Sequence, residues 1–136
     1  GAHNPHSASV LRDTIPSYFS YQRVILIAGV SRDKNLEGIV GELAPLSHHV
    51  IVTRSRHPRA APTGAVAEAF LSHGTTVAQV EGVDNAVALA LDESEEGDLI
   101  LATGSLFVAA EAREVIKGIE PELYPELGQD RSPSPR

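Results

Sequence analysis

A continuous apolar run, Val24–Ala28, constrains the fold more than any other stretch of the chain. Five consecutive apolar residues are typical of a strand that is covered on both faces, as in a parallel sheet. The run ends at Gly29, and a polar loop follows over Ser31–Lys34. Apolar residues then recur at helical spacing, at Leu36, Ile39, Val40 and Leu43. Because ligands of open α/β sheets bind beyond the carboxyl ends of the strands, this loop is the first candidate for a functional site.

The same alternation of strand and helix continues to residue 117. Further strands are predicted at His49–Thr53, Thr75–Val80 and Asp98–Thr103, the last of them buried and Thr75–Val80 nearer an edge. A helix is predicted from Pro5 to about Ile15, where Pro16 should end it, and another over Val83–Leu91. A helix that starts at Pro62 should turn four residues to the core: Val66, Ala67, Phe70 and Leu71. After the turn Gly104–Phe107, a final helix should run through about Lys117. Strict alternation predicts an α/β fold: a three-layer α/β/α sandwich around a Rossmann-like, mostly parallel sheet.

Length and composition fit one globular domain. The chain has 136 residues, of which 42% are apolar, so it can form one core but not two. We place this domain at residues 1–120. Residues 121–136 hold four of the nine prolines and are predicted to be an extended or disordered tail. The absence of methionine indicates a domain cut from a longer chain.

The composition also excludes several classes of function. The chain has no cysteine, so disulfides and thiolate metal sites are excluded. The net charge of −7 argues against a nucleic-acid partner. No run is long and apolar enough for a membrane partner, and we expect a cytoplasmic protein. The phosphate loop G-x-x-x-x-G-K-[ST], the dinucleotide motif G-x-G-x-x-G and the nucleophile elbow G-x-S-x-G do not occur, so no self-sufficient catalytic set is present.

Five of the eleven basic residues lie in only two loops, each of which follows a predicted strand. They are Arg32, Lys34, Arg54, Arg56 and Arg59. In an acidic protein, such clustering at one rim of a sheet indicates a site for a phosphate or a carboxylate. The alternative is that these side chains are solvated and pair with nearby acidic helices. For any single arginine we prefer the pairing, and for the cluster we prefer the anion site.

The turn Gly104–Ser105 follows the last strand and opens the last helix. A helix N-terminus offers free N–H groups to an anion, but Ser105 can equally cap the helix. His3 is a candidate phosphate contact or a loop residue. The other histidines that we considered have no metal-ligand spacing and are interpreted as surface residues: His48, His49, His57 and His73.

Four segments together carry a family resemblance: GAHNPHSA, GVSRDKNLEG, VTRSRHPRA and ATGSLF. In this order and spacing they resemble the C-terminal domain of folylpolyglutamate synthase/dihydrofolate synthase, which is of the Mur ligase type. The resemblance extends from Gly1 to about Lys117. It implies an ATP-dependent ligase that converts a folate or pteroate carboxylate into an acyl phosphate and joins it to glutamate. Mg²⁺ and ATP would be bound mainly by other domains of the ligase.

The resemblance also implies roles for individual residues. His3 and Asn4 match positions near the nucleotide phosphates, and Lys34, Ser105 and Phe107 match positions around the glutamate. Arg32, Arg54, Arg56 and Arg59 are candidate anion contacts. No metal ligand and no catalytic residue is expected within this chain alone.

Three alternatives remain open on the sequence. The chain could be a stand-alone anion-binding or nucleotide-binding regulatory module, the corresponding domain of another Mur-type ligase, or a purely structural domain. Because it lacks a phosphate loop, we expect the isolated chain to be inactive as a ligase.

Overall fold

Four parallel strands form one sheet in the part of the chain that this computed structural model describes, residues 4–18 and 21–118. The strands are β1 (Val24–Ala28), β2 (His49–Val52), β3 (Val77–Gln79) and β4 (Leu99–Thr103). β1 pairs with both β2 and β4, and β3 pairs with β2, so the strand order is β3-β2-β1-β4. The predicted α/β class and parallel sheet are confirmed.

Helices cover both faces of this sheet. They are α1 (Pro5–Tyr18), α2 (Leu36–Leu43), α3 (Thr63–Leu71), α4 (Val83–Glu93) and α5 (Leu106–Lys117). Side chains of a strand alternate between its faces, and β1 shows this: Leu26 packs on the side of α2 and α3, while Ile25 and Ile27 pack on the side of α4 and α5. All five residues of β1 are therefore buried, as the apolar run predicts.

The strand order changes one prediction about burial. β4 was expected to be a buried strand, but it lies at an edge, and only its last residue, Thr103, is fully buried. Its apolar residues are half-buried on both faces: Ile100 and Ala102 pack on the side of α4 and α5, and Leu99 and Leu101 pack on the other side. β3 lies at the opposite edge, as its half-apolar sequence predicts.

Two helix predictions also need correction. α1 continues through Pro16 to Tyr18, because a proline in the last turn removes only one helical hydrogen bond, with few residues left to kink. Leu71 was expected to face the core but is 57% exposed, since it is the last residue of α3 and Phe70 occupies the buried position. The apolar stripe Ile39, Val40 and Leu43 of α2 is buried as predicted.

The sheet has a topological switch point between β1 and β4. From β1 the chain adds β2 and then β3 on one side, and it returns to place β4 on the other side of β1. The loops that leave β1 and β4 therefore diverge from neighbouring strand ends, which is where open α/β sheets bind ligands. Glycines allow a very close approach here: a Cβ atom on Gly104 would lie 2.5 Å from the carbonyl oxygen of Gly29.

The opposite end of the same strand pair is closed by an ion pair. Arg23 Nε lies 2.9 Å from a carboxylate oxygen of Asp98, just before β1 and β4 begin. The pKa of Asp98 is lowered, mainly by a hydrogen bond from the backbone N–H of Glu95 and to a smaller extent by the guanidinium of Arg23.

No helix in the described ranges is both long and apolar enough to cross a bilayer.

We predict that Gly104→Ala destabilises the domain. Gly104 has φ of +100°, and a side chain held in such a conformation costs about 1–3 kcal/mol before the clash with Gly29 is added. The free energy of unfolding, measured by urea denaturation, should fall by at least about 2 kcal/mol. Gly64→Ala is the matched control, since nothing lies within 4 Å of its Cβ position in α3. It should raise stability by about 0.5–1 kcal/mol. Equal effects at the two sites would contradict the close packing at Gly104.

Candidate functional site

The two basic loops lie side by side at the carboxyl end of the sheet. They connect β1 to α2 (residues 29–35) and β2 to α3 (residues 53–62). The Arg32 N–H donates to the Arg59 carbonyl at 2.7 Å, and the Ala61 N–H donates to the Val30 carbonyl at 2.8 Å. A bridge between Ser31 and Ala60 completes a short antiparallel contact. The structure therefore brings the five basic residues to one rim.

Most of the arginines on this rim already have partners. Arg54 Nε lies 3.0 Å from Glu81, and Arg56 Nη2 lies 3.0 Å from Glu114. Arg59 Nη1 is 3.9 Å from Asp33, and Arg32 Nη2 donates to the Pro58 carbonyl at 3.1 Å. Arg54 and Arg56 are therefore paired with carboxylates, which is the alternative to an anion site that the sequence left open. With Arg59, three of the five basic residues of the rim are paired with carboxylates.

Lys34 is the exception among the basic residues of the rim. Its side chain is exposed, and within the described part of the chain its ammonium group has no ion pair. The residue is held by its backbone, because the Lys34 N–H donates to the Ser31 carbonyl at 3.1 Å. The next residue, Asn35, caps α2 by accepting from the Gly38 N–H at 3.0 Å. Lys34 therefore offers an uncompensated charge from a fixed turn.

Two acidic residues of α5 anchor the loop that follows β2. Glu111 is 1% exposed and accepts a hydrogen bond from the backbone N–H of Arg56 at 2.8 Å. Its carboxylate is also 3.4 Å from Arg56 Nη1, while Glu114 accepts from Nη2 with both oxygens. Contacts from two carboxylates to the two ends of one guanidinium fix the arginine in one orientation. No pattern in the sequence indicated this role, because the partners are more than fifty residues apart.

His57 is buried rather than on the surface, which corrects the sequence-based interpretation. It is 3% exposed, and its ring stacks on Phe107 with centroids 4.0 Å apart and planes at 16°. Its Nδ1 accepts from the Arg59 N–H at 3.1 Å. The stack was not predictable from spacing, since it joins the loop after β2 to the first turn of α5. It places Phe107 at the same rim as the basic loops.

Ser105 caps α5. Its hydroxyl oxygen accepts from the N–H groups of Phe107 and Val108 at 3.0 and 3.2 Å, and the residue is 3% exposed. Of the two roles left open for Ser105, capping is the one that these contacts show. Two N–H groups of the first turn are thereby already satisfied.

A polar pocket of about 380 Å³ opens beside this rim, at the carboxyl ends of β2 and β3. It is lined by Arg54, Ser55, Arg56, His57, Pro58, Ala60, Glu81 and Gly82. Its walls thus carry two arginines and one carboxylate, so it is a polar cleft with paired charges.

Comparison with known proteins identifies the family of this domain. The profile described as Mur ligase, glutamate ligase domain, matches residues 1–106. The chain belongs to the Mur ligase glutamate ligase domain family. It is 35% identical, over 83% of its length, to a probable bifunctional folylpolyglutamate synthase/dihydropteroate synthase of Halobacterium salinarum. The resemblance to the folylpolyglutamate synthase C-terminal domain is therefore confirmed.

Solved structures of related ligases share the fold. Escherichia coli FolC in complex with DHPP and ADP superposes with a TM-score of 0.78 at 25% identity, over 86% of this chain. The Yersinia pestis bifunctional folylpolyglutamate synthase/dihydrofolate synthase, complexed with AMPPNP and a Mn ion, gives 0.75 at 25% identity, over 85% of this chain. The chain spans only 27% of each of these structures and 14% of the Halobacterium protein. The match is thus to one part of each of these longer proteins.

The remaining predicted contacts of this Mur ligase domain lie at its start. His3 is outside the described residues. Asn4 precedes α1, and its carbonyl accepts from the Ala8 N–H at 3.0 Å. Ile15 packs with Val24 at the amino end of β1, so Asn4 lies about 16 Å from Ile15, at the other end of α1. Over residues 4–18 and 21–118, no group of three or more His, Asp and Glu side chains is placed so that it could hold a metal ion.

We predict that Glu111→Ala loosens the loop after β2. The change leaves the Arg56 N–H without its acceptor, which costs about 2 kcal/mol in unfolding free energy, measured by urea denaturation. Amide exchange should accelerate at residues 54–60.

Glu81→Ala is the matched control. It breaks the pair with Arg54, in which both side chains are about half exposed. Such pairs contribute less than about 1 kcal/mol. If removing Glu81 costs as much as removing Glu111, the anchoring role assigned to Glu111 is wrong.

Proposed function

We propose that this chain is the C-terminal domain of an ATP-dependent ligase that adds glutamate to a folate or pteroate carboxylate. The family and the names of its relatives support the ligase class and the folate-type acceptor. The observation that carries the proposal for this chain is the position of Lys34. Among the described residues it is the cation of the rim whose side chain has neither an ion pair nor a hydrogen bond, and it lies next to the switch point of the sheet, in a family whose profile is a glutamate ligase domain.

In this proposal Lys34 binds a carboxylate of the incoming glutamate. An ammonium group on a turn of fixed backbone suits a carboxylate, and its charge is not already used by a neighbour. Arg32 is the next candidate, because its guanidinium contacts only a carbonyl group. Phe107 lines the same rim, and Ser105 holds the turn that presents it. Arg56 holds the β2–α3 loop against α5, and Arg54 and Arg59 already lie beside the carboxylates of Glu81 and Asp33.

The proposed reaction proceeds in two steps. The acceptor carboxylate takes the γ-phosphoryl group of ATP, which gives an acyl phosphate and ADP. The amino group of glutamate then attacks the carbonyl carbon, the C–O bond to phosphate breaks, and an amide and inorganic phosphate form. This domain orients the glutamate for the second step, which lowers the entropic part of the barrier. His3 and Asn4 are assigned to the nucleotide phosphates, and the metal ion is assigned to the other domains.

The role of Lys34 is tested in the full-length ligase that carries this domain. Lys34→Ala should raise the KM for glutamate by about ten- to hundred-fold, the cost of a charge-assisted hydrogen bond. The KM for ATP should stay the same. Arg54→Ala is the control, since Arg54 is paired with Glu81 and should leave the KM for glutamate within about two-fold, as for other exposed pairs. An unchanged KM for glutamate in the Lys34 variant would remove the basis of the proposal.

The isolated chain is expected neither to hydrolyse ATP nor to form an amide. It has no phosphate loop, and its described residues hold no metal cluster. The measurement is ADP release with ATP, glutamate and dihydropteroate present. Turnover by the chain alone would refute the assignment to one domain of a larger ligase. Saturable heats with ATP or glutamate in calorimetry would instead favour a stand-alone binding module.

A further inference from the structure

A second concave surface lies away from the rim, between α4 and α5 and above β1 and β4. Its volume is about 410 Å³, and most of its lining residues are apolar. The floor is formed by Ile27, Ile100 and Ala102 and the walls by Val87, Leu91, Ala109, Ala112 and Ile116. The alanines keep the groove open, because their side chains are too small to fill the space between the two helices. We call this surface the α4–α5 groove.

The margins of the α4–α5 groove are unusual for a solvent-facing surface. Leu91 and Ile116 are 59% and 68% exposed, so two large apolar side chains flank an apolar floor. A contiguous apolar patch of this kind usually marks a binding surface. Arg113 and Lys117 lie at the same groove. Both are exposed, and neither has an ion pair within the described residues. The groove therefore suits an apolar segment that also carries negative charge.

We propose that residues 119–127 of this same chain occupy the α4–α5 groove. α5 ends at Lys117, and Gly118, with φ of +67°, ends the helix and redirects the chain. The segment thus starts one residue beyond the end of the groove. Nine residues in an extended polyproline conformation span about 28 Å. α5, with twelve residues, is about 18 Å long, so the segment can reach along the whole groove.

The composition of residues 119–127, IEPELYPEL, matches the groove. The segment has four large apolar side chains, Ile119, Leu123, Tyr124 and Leu127, and three acidic ones, Glu120, Glu122 and Glu126. The acidic residues complement Arg113 and Lys117, which are the charged members of the lining. Pro121 and Pro125 are residues of a type that favours the extended conformation which the proposal requires.

A second copy of the chain is a weaker occupant. In a two-fold dimer the same patch faces itself, so Arg113 and Lys117 of one copy would approach the same two cations of the other. That arrangement brings like charges together, whereas residues 119–127 bring three carboxylates. Tethering also favours the intramolecular contact, since the segment is present at high effective concentration.

The experiment uses the whole 136-residue chain, which contains no tryptophan. Tyr124→Trp introduces a single fluorophore in the segment. We expect its emission to be shifted to the blue, and its quenching by acrylamide to be reduced, relative to a peptide of residues 117–136 with the same substitution. The signal should not change on dilution.

Variants of the groove then test where the fluorophore binds. Leu91→Asp with Ile116→Asp should lower the ratio of bound to unbound segment by at least about ten-fold, since each removes the burial of a large apolar side chain. Both residues are exposed, so folding should be retained. Arg113→Glu is a second variant, which leaves the apolar lining intact and should weaken the contact in a salt-dependent manner. Leu71→Asp, at an equally exposed leucine on the other face of the sheet, is the control and should have no effect.

Three results would overturn the proposal. The first is emission from the full chain equal to that of the peptide. The second is a shifted emission that survives the Leu91 and Ile116 substitutions, or that Leu71→Asp removes equally. The third is a shift that disappears on dilution, which would assign the groove to a second copy.

Discussion

The close contact of Gly29 with Gly104 is the constraint on which the functional end of this domain depends. β1 and β4 run side by side to their carboxyl ends, and the chain must leave both ends without a clash. Only glycine fits at position 104, because a Cβ there would lie 2.5 Å from the carbonyl oxygen of Gly29. From this point one loop leads to Lys34 and the other to Ser105 and Phe107. The rim is therefore assembled by backbone packing, and its charged side chains are added to a scaffold that is already fixed.

The architecture was largely predictable because it depends on local patterns. A run of five apolar residues can be satisfied in water only by burial on both faces, so β1 and the three-layer arrangement followed from residues 24–28. Helical spacing likewise predicted the buried stripe of α2. The order of the strands is a tertiary property, and no local pattern encodes that β4 returns to the free edge of β1. The partial exposure of β4 was therefore not predicted. The exposure of Leu71 was not predicted either, because it depends on the residue at which α3 ends.

The candidate site was predictable in place but not in its electrostatics. Two basic loops that follow parallel strands must meet at one rim, and they do. The charge of that rim could not be obtained by counting basic residues, because Glu111 and Glu114 come from the distant α5 and neutralise Arg56. His57 shows the same limit, since its burial depends on a partner fifty residues away in the chain. In the proposed function a carboxylate ligand is therefore bound by Lys34, with Arg32 next, because neither has a carboxylate partner among the described residues.

The anchoring of Arg56 to α5 has a mechanical consequence. One side of this helix carries Glu111 and Glu114, which hold the loop after β2, and another side carries Ala109, Ala112 and Ile116, which line the apolar groove. Phe107 sits at its first turn against His57. A partner that tilts or shifts α5 by binding in the groove would therefore also move Phe107 and the carboxylates that hold Arg56, because all of them are on the same helix. α5 thus connects the rim and the α4–α5 groove, which share no residue. The stiffness of its hydrogen-bonded backbone determines how much of a movement at one surface reaches the other.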